Sequence, residues 1–299
     1  MDLQQPRVAV IGLGKMGWPI ARNLSKNGLR LTINDADMDV AKKFADTYGA
    51  RSESFECLGE DLDVVILMLP NGEVVNSVLF GSETIGSSGL AYRLSKGSLV
   101  IDMSSSEPNG TRERGHALAE LDINFMDAPV SGGVKKADSG ELTIMVGGDG
   151  LIFEKISPLL AILGEKLFYV GPLGAGHAIK ALNNYVSAAG LVAASDAVQI
   201  ARHFGIEPAI AVDVLNASSG RNNSTEVKFK QYILSEAFNS GFSLDLMAKD
   251  LRIALSMAEE MDRSSPVLET CSELWSQAKN SMPEGRDHTE IFHFLNKIE

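Results

Sequence analysis

The strongest constraint on this chain is a six-residue loop near its start. Val8-Ala9-Val10-Ile11 is a strand-like aliphatic run, followed at once by Gly12-Leu13-Gly14-Lys15-Met16-Gly17 and then by the helical pattern Trp18–Asn27. In a strand–turn–helix unit each glycine has its own task. Gly12 makes the tight turn, Gly14 lets the backbone approach a pyrophosphate, and Gly17 lets helix and strand pack closely. The pyrophosphate would sit on the helix N-terminus, where unpaired N–H groups and the helix dipole favour negative charge. The spacing therefore predicts a dinucleotide site made of Gly12, Leu13, Gly14, Lys15, Met16 and Gly17.

The second strand ends Ile33-Asn34-Asp35-Ala36-Asp37, with Asp35 lying 18 residues after Gly17. An acidic residue there hydrogen-bonds the adenine ribose hydroxyls, so Asn34 and Asp35 are assigned to cofactor binding. A carboxylate repels a 2′-phosphate, and no arginine stands at 34–37. NAD is favoured over NADP. The competing reading makes Asp35 or Asp37 only a cap for the next helix.

The rest of the first half repeats the alternation. Leu29–Ile33, Val64–Leu69, Leu99–Ile101, Phe125–Met126, Thr143–Val146 and Leu167–Val170 read as strands, with helical patterns at Asp39–Tyr48 and Glu113–Glu120. Strand–helix–strand repetition implies an α/β Rossmann domain with a parallel-type sheet, placed at 1–170. After Gly171 the pattern changes. Residues 178 to about 203 are rich in Ala, Val and Leu and broken only by Gly190. At 1.5 Å per residue this is roughly 39 Å of helix, expected to be buried on most sides. Beyond it Pro208–Ser218, Ser224–Leu234, Leu244–Met261, Pro266–Asn280 and Glu290–Ile298 read as helices with no strand signal. An all-α domain at 171–299, joined by that long helix, is expected. A buried helix of that length suggests a homodimer or homotetramer.

Composition narrows the ligands. The chain has 27 basic and 39 acidic residues, a net charge of −12. An acidic chain argues against a nucleic-acid or anionic-membrane partner, which needs clustered positive charge. Small anions remain compatible, because backbone amides and a few lysines can hold them. Cys57 and Cys271 form no disulfide framework. With no signal segment and no run of about 18 apolar residues, a cytoplasmic location is expected.

Five further segments carry a resemblance. They are Met68-Leu69-Pro70-Asn71; Asp102 to Pro108 (DMSSSEP); Asp127 to Gly133 (DAPVSGG) with Gly140-Glu141-Leu142-Thr143 and Val146-Gly147-Gly148; Gly174-Ala175-Gly176 leading to Lys180-Ala181-Leu182-Asn183-Asn184; and Lys249-Asp250-Leu251. In this order, and over nearly the whole chain, they resemble the β-hydroxyacid dehydrogenases of the 6-phosphogluconate dehydrogenase superfamily. The resemblance implies hydride transfer between a nicotinamide and a short 3-hydroxy acid or its semialdehyde, without a metal. Substrates of the 3-hydroxyisobutyrate, tartronate semialdehyde, succinic semialdehyde/glyoxylate and sulfolactaldehyde types all fall within it. The alternative of another class is a non-catalytic dinucleotide-binding reader.

Lys180 stands in an otherwise apolar helix, where desolvation would lower its pKa from about 10.4 toward the range of a useful acid/base. The resemblance assigns it that role. Asn184, four residues on, shares its helix face and would hydrogen-bond the substrate hydroxyl or the Lys180 amine. Ser131, Gly132 and Gly133 follow a strand end and offer amides and a hydroxyl to a substrate carboxylate. By resemblance, Lys249 reaches across a cleft to substrate and cofactor, Leu69, Pro70 and Ser105 meet the nicotinamide half, and Phe242 and Leu246 line the apolar part. His177 is read as a turn or capping residue, Met16 and Trp18 also as packing residues, and His288 and His293 as no metal site.

Overall fold

The computed structural model of the chain describes residues 6–82 and 88–297. Contacts divide the chain into two units, Met1–Lys180 and Ala181–Glu299. The division expected at 170/171 stands before the long helix; this one falls inside its second turn.

The first unit is a Rossmann domain. Its strands are β1 (Val8–Ile11), β2 (Leu31–Asn34), β3 (Arg51–Ser52), β4 (Val64–Leu67), β5 (Leu99–Asp102), β6 (Asn124–Asp127), β7 (Val130–Ser131), β8 (Thr143–Gly147) and β9 (Lys166–Gly171). They lie in the order β3-β2-β1-β4-β5-β6-β8-β7, with β9 on β8. From β3 to β6 the pairing is parallel. The helices of this unit are α1 (Gly17–Lys26), α2 (Met38–Tyr48), α3 (Gly72–Phe80), α4 (Pro108–Glu120), α5 (Gly133–Ser139) and α6 (Gly150–Leu160). The sheet is not parallel throughout: β8 runs antiparallel to β6 and β7. β6 and β7 meet β8 in one register, Asp127 opposite Gly147 and Val130 opposite Ile144, so they run as one strand interrupted at Ala128 and Pro129.

Every residue of β1, β2, β4 and β5 is buried, as a sheet covered on both faces requires. Alternate residues feed opposite cores. Val8, Val10 and Ile33 pack with Phe44 and Leu24, while Ala9, Val65 and Leu67 pack with Val75 and Leu90. Strand order reverses between β1 and β4. The loops leaving their C-terminal ends diverge there and open the crevice in which such sheets bind ligands.

Helix α7 (Ala175–His203) begins in the first unit and continues in the second. It starts three residues earlier than expected. Only one stripe of it is buried, through Ala181, Asn184, Ala188, Leu191, Ser195 and Val198, at helical spacing. The opposite face carries Val186, 67% exposed, and Ile200, 63% exposed, so the expectation of burial on most sides does not hold for one chain. After it come α8 (Pro208–Ala217), the segment Ser224–Ile233, α9 (Leu244–Glu260), α10 (Pro266–Ser281), a 3₁₀ turn His288–Glu290 and α11 (Ile291–Leu295). The helix expected at Ser224–Leu234 is π-helical, a widening that nothing in its sequence announces. The expected end of the last helix, Ile298, lies outside the described residues. Among the described residues the second unit has no strand, only the isolated bridge Ser243–Asp287. Leu191, Phe229, Leu251 and Trp275 centre its core. Among the described residues no helix is long and apolar enough to cross a membrane.

Candidate active site

The glycine loop leaves β1 under tight steric control. Gly12 has φ +95°, and a Cβ on it would lie 2.4 Å from the Met68 carbonyl oxygen. A Cβ on Gly17 would lie 1.9 Å from the Gly12 carbonyl oxygen. Around Gly14 a Cβ would meet nothing within 4 Å. Two glycines are thus required by the protein itself, and the third faces open space. Helix α1 begins at Gly17 with Met16 at its N-cap and no side-chain cap, and Gly14 and Lys15 are exposed. An open glycine beside an uncapped helix N-terminus fits a pyrophosphate. Leu13 is buried, and Met16 and Trp18 pack against the core.

The two aspartates after β2 have separate tasks. Asp37 is the N-cap of α2 and accepts from the Asp39 amide. The half-buried Asp35 accepts from the Leu13 amide at 2.6 Å and, through its other oxygen, from the Asp37 amide at 2.9 Å. Its carboxylate is therefore held against the glycine loop rather than on the helix. The side chain of Asn34 turns away and donates to the Glu53 carbonyl at 2.9 Å.

The loops after β4, β5 and β6 meet at the same end of the sheet. The Leu69 amide donates to Ser104 Oγ at 2.9 Å. The buried Asp102 orders the loop that carries Ser105, accepting from the Ser104 amide and the Ser106 hydroxyl, both at 2.9 Å. Pro70 is exposed and Ser105 half-buried. Asp127, at the end of β6, caps the start of α7 by accepting from the Gly174 amide at 2.8 Å and the His177 amide at 2.7 Å. Beyond β7, Gly132 (φ +133°) and Gly133 (φ +67°) are exposed at the head of α5, next to the half-buried Ser131.

Lys180 is half-buried on α7, one turn before Asn184. The second unit supplies a partner that the sequence reading did not assign. Asn184 donates to Asp250 Oδ2 at 2.6 Å. A carboxylate only accepts, so the nitrogen of the Asn184 amide is the atom facing it, and the oxygen takes the Asn183 amide at 3.2 Å. Asp250 is buried and also pairs with Lys249 Nζ at 3.6 Å; the Lys249 side chain is 16% exposed. Lys249 is thus no solvent-facing residue. The Lys-Asp pair in the Lys249-Asp250-Leu251 segment was the available signal for Asp250. Phe242 is half-buried with its ring edge-on to His288, and Leu246 is 39% exposed.

Further charges are buried in the second unit. Lys228, on the π-helical segment, donates to Ser187 Oγ at 2.9 Å, and burial pushes its ammonium down to about 8. Asp287 lies below the ordinary carboxylate range. Burial opposes that, and hydrogen bonds from His288, Thr289 and Ser240 outweigh it. Burial lowers His288. Among the described residues no group of three or more His, Cys, Asp or Glu could hold a metal.

Comparison with known proteins finds similarity over both halves of the chain. The sequence profile of the NAD binding domain of 6-phosphogluconate dehydrogenase matches residues 7–171. The profile for NAD-binding of NADP-dependent 3-hydroxyisobutyrate dehydrogenase matches residues 174–295. The 2-(hydroxymethyl)glutarate dehydrogenase of Eubacterium barkeri is 34% identical over 94% of this chain and 91% of its own. The 2-hydroxy-3-oxopropionate reductase of Escherichia coli (strain K12) is 32% identical, with 97% of each chain covered. Among solved structures, Mycobacterium tuberculosis 3-hydroxyisobutyrate dehydrogenase with L-serine superposes with a TM-score of 0.87 at 28% identity, covering 98% of this chain and 99% of that one.

Proposed function

The chain belongs to the β-hydroxyacid dehydrogenase family, and we propose that within it the protein is a nicotinamide-dependent dehydrogenase or reductase of a short 3-hydroxy acid or its semialdehyde, of the 3-hydroxyisobutyrate type. The observation that carries this reading is the face of α7. It presents Lys180 and, one turn on, an Asn184 whose amide is fixed by the buried Asp250 at 2.6 Å. Such a pair suits the proton chemistry at an alcohol, and it is not what a passive dinucleotide reader needs.

The nicotinamide, when bound, supplies or accepts the hydride. The chain's own residues do the rest. Lys180 takes the proton from the substrate hydroxyl in oxidation and returns it in reduction. Asn184 keeps one N–H for the same hydroxyl, because Asp250 occupies the other. The Ser131 hydroxyl and the Gly132 and Gly133 amides hold the substrate carboxylate, and Lys249 adds a positive charge for substrate and cofactor. The open Gly14 and the uncapped α1 terminus receive the pyrophosphate, with Leu13, Lys15 and Met16 around it and Leu69, Pro70, Ser105 and Phe242 toward the nicotinamide. Asp35 favours NAD over NADP, since its carboxylate would repel a 2′-phosphate.

A dimer or tetramer is part of the proposal, supported by the apolar Val186 and Ile200 left exposed on α7. So is a cytoplasmic site of action, supported by two cysteines that are both free. The second substrate reading is tartronate semialdehyde, favoured by the similarity to the Escherichia coli reductase. The test is oxidation of NADH and of NADPH against a panel of methylmalonate, tartronate and succinic semialdehydes, glyoxylate and sulfolactaldehyde. Turnover is expected with a carboxylate-bearing semialdehyde and with NADH ahead of NADPH. Tight NADH binding with no turnover on any member would overturn the reading in favour of a non-catalytic binder.

A further inference from the structure

Three buried polar side chains of the first unit have no part in the chemistry above. Asp102 and Asp127 are 0% exposed and His177 is 1% exposed. The His177 ring has two hydrogen-bond partners. Nε2 lies 3.2 Å from the Ser104 carbonyl oxygen and Nδ1 lies 2.8 Å from Thr111 Oγ1. A carbonyl only accepts, so Nε2 carries the proton and donates to Ser104. Both carboxylates stand close to the ring, Asp102 Oδ2 at 3.8 Å and Asp127 Oδ2 at 3.7 Å. These separations are too long for hydrogen bonds, and the carboxylate oxygens are already engaged by the Ser104, Ser106, Gly174 and His177 donors. Arg114 completes the surroundings, donating to Thr111 Oγ1 at 3.3 Å and to the Gly72 carbonyl at 3.2 Å.

These bonds form one continuous path. The Leu69 amide is held by Ser104 Oγ, the Ser104 carbonyl by the His177 ring, and the His177 amide by Asp127. Lys180 follows three residues later, on the same face of the helix. Gly176 allows the close approach: a Cβ there would lie 2.4 Å from the Met145 carbonyl oxygen and 2.8 Å from Asp127 Oδ2. The turn that carries Lys180 is therefore bonded, through one imidazole, to the loop that carries Ser105.

We propose that His177 is a positioning residue for Lys180, its ring locking the first turn of α7 onto the 103–106 loop so that the amine and that loop keep one fixed relation. The inference rests on the function proposed above for Lys180. It separates the two tasks of His177: its main-chain N–H is satisfied by Asp127 whatever the side chain, whereas the ring alone makes the link to Ser104.

His177→Leu and His177→Gln test it. Leucine removes the donor to Ser104, while the glutamine amide can place an N–H near the position of Nε2. Two readouts are used: kcat and KM with the best substrate of the panel, and acetylation of Lys180 relative to the exposed Lys26 in ligand-free protein, by mass spectrometry. For H177L, kcat is expected to fall at least tenfold with KM within twofold, and relative acetylation of Lys180 to change at least threefold. H177Q is expected to stay within twofold of the parent on both. Wild-type behaviour of H177L on either readout overturns the proposal, as does an H177Q impaired as severely as H177L. Should H177L fail to fold, Thr111→Val removes the partner of Nδ1. It is expected to give the same pattern at about threefold, and unchanged kcat and acetylation would overturn the proposal. If the wild-type protein turns over no member of the panel, the proposed function fails, and acetylation alone still decides whether His177 holds Lys180.

Discussion

The two units keep their buried polar groups by different means. In the Rossmann unit Asp102 and Asp127 end adjacent parallel strands and are satisfied largely by main-chain amides: Ser104 for the first, Gly174 and His177 for the second. In the helical unit Gln199 and His288 reach the main-chain carbonyls of Phe292 and Phe242, but the pairs Asn184–Asp250 and Lys228–Ser187 join side chains on different elements. A parallel sheet brings its strand ends out at one edge, where loops offer unpaired N–H groups close by. A helix has spent its interior amides on itself, so a buried polar side chain there must find a partner far away in sequence. A main-chain donor cannot swing to solvent when its acceptor is removed; a side chain often can.

The largest expected effect breaks neither interior. Lys180→Ala removes the acid/base and should lower kcat by about 10²–10⁴-fold, with NADH affinity by fluorescence titration unchanged. Near-normal turnover would remove Lys180 from the mechanism.

Next come the glycines, which separate packing from ligand approach within the first unit. Gly17→Ala drives a Cβ to 1.9 Å from a main-chain oxygen, an overlap that no rotamer relieves. A loss of about 3 kcal/mol in urea denaturation is expected. Gly14→Ala meets nothing within 4 Å, so it should fold as the parent does yet bind NADH at least tenfold more weakly. Equal stability losses in the two would mean that the loop is one structural unit with no open face.

The comparison is sharpest between Asp127→Ala and Asp250→Ala. The first leaves the Gly174 and His177 amides without acceptors and should cost about 3 kcal/mol; the second frees the Asn184 and Lys249 side chains, both of which can turn toward water, and should cost less, about 1 kcal/mol. Asp250→Ala should still lower kcat about tenfold, because Asn184 loses its orientation. Equal costs in denaturation would refute the distinction between main-chain and side-chain satisfaction.

The same difference governs what is legible in the sequence. The glycine loop, the strands of four residues or more and Asp35 are local patterns, each set by neighbours within a turn or a strand, and they can be read from spacing; the two-residue strands β3 and β7 are too short to show one. Helices α3 and α6 go unmarked even though they begin on capping residues, Asn71 and Asp149. The first is short and the second carries Pro158 inside, so periodicity underweights both. His177 reads as a capping residue, and its main-chain amide does meet Asp127. Its ring partners, Ser104 and Thr111, come from other loops and helices and leave no trace in local pattern. Asp250 was in view only as part of a motif; its bond to Asn184 depends on how α7 and α9 pack. The single buried stripe of α7 is hidden for the same reason, since an Ala- and Val-rich helix looks apolar on all faces until its neighbours are known.

The smallest expected effect concerns a charge that the helical interior tolerates rather than needs. Lys228 falls from 10.5 to about 8 because burial disfavours its ammonium, with Asp287 opposing the fall. Below pH 8 both folded and unfolded chains hold the proton, and the unfavourable burial, up to about 3 kcal/mol, is fully present. Between pH 8 and 10.5 the unfolded chain binds the proton that the folded chain has released, so this group makes stability rise with pH across that window. Lys228→Met keeps the volume and removes the charge, at the loss of the Ser187 hydrogen bond, worth about 1 kcal/mol. The variant should therefore be more stable than the parent by up to about 2 kcal/mol at pH 7, with the gap closing toward pH 10 as the parent recovers. Urea denaturation of both proteins at pH 7 and pH 9.5 measures this. A variant less stable than the parent at pH 7 would show that the Lys228–Ser187 bond holds the helical unit together, and the contrast with the Rossmann unit would then rest on Asn184 and Asp250 alone.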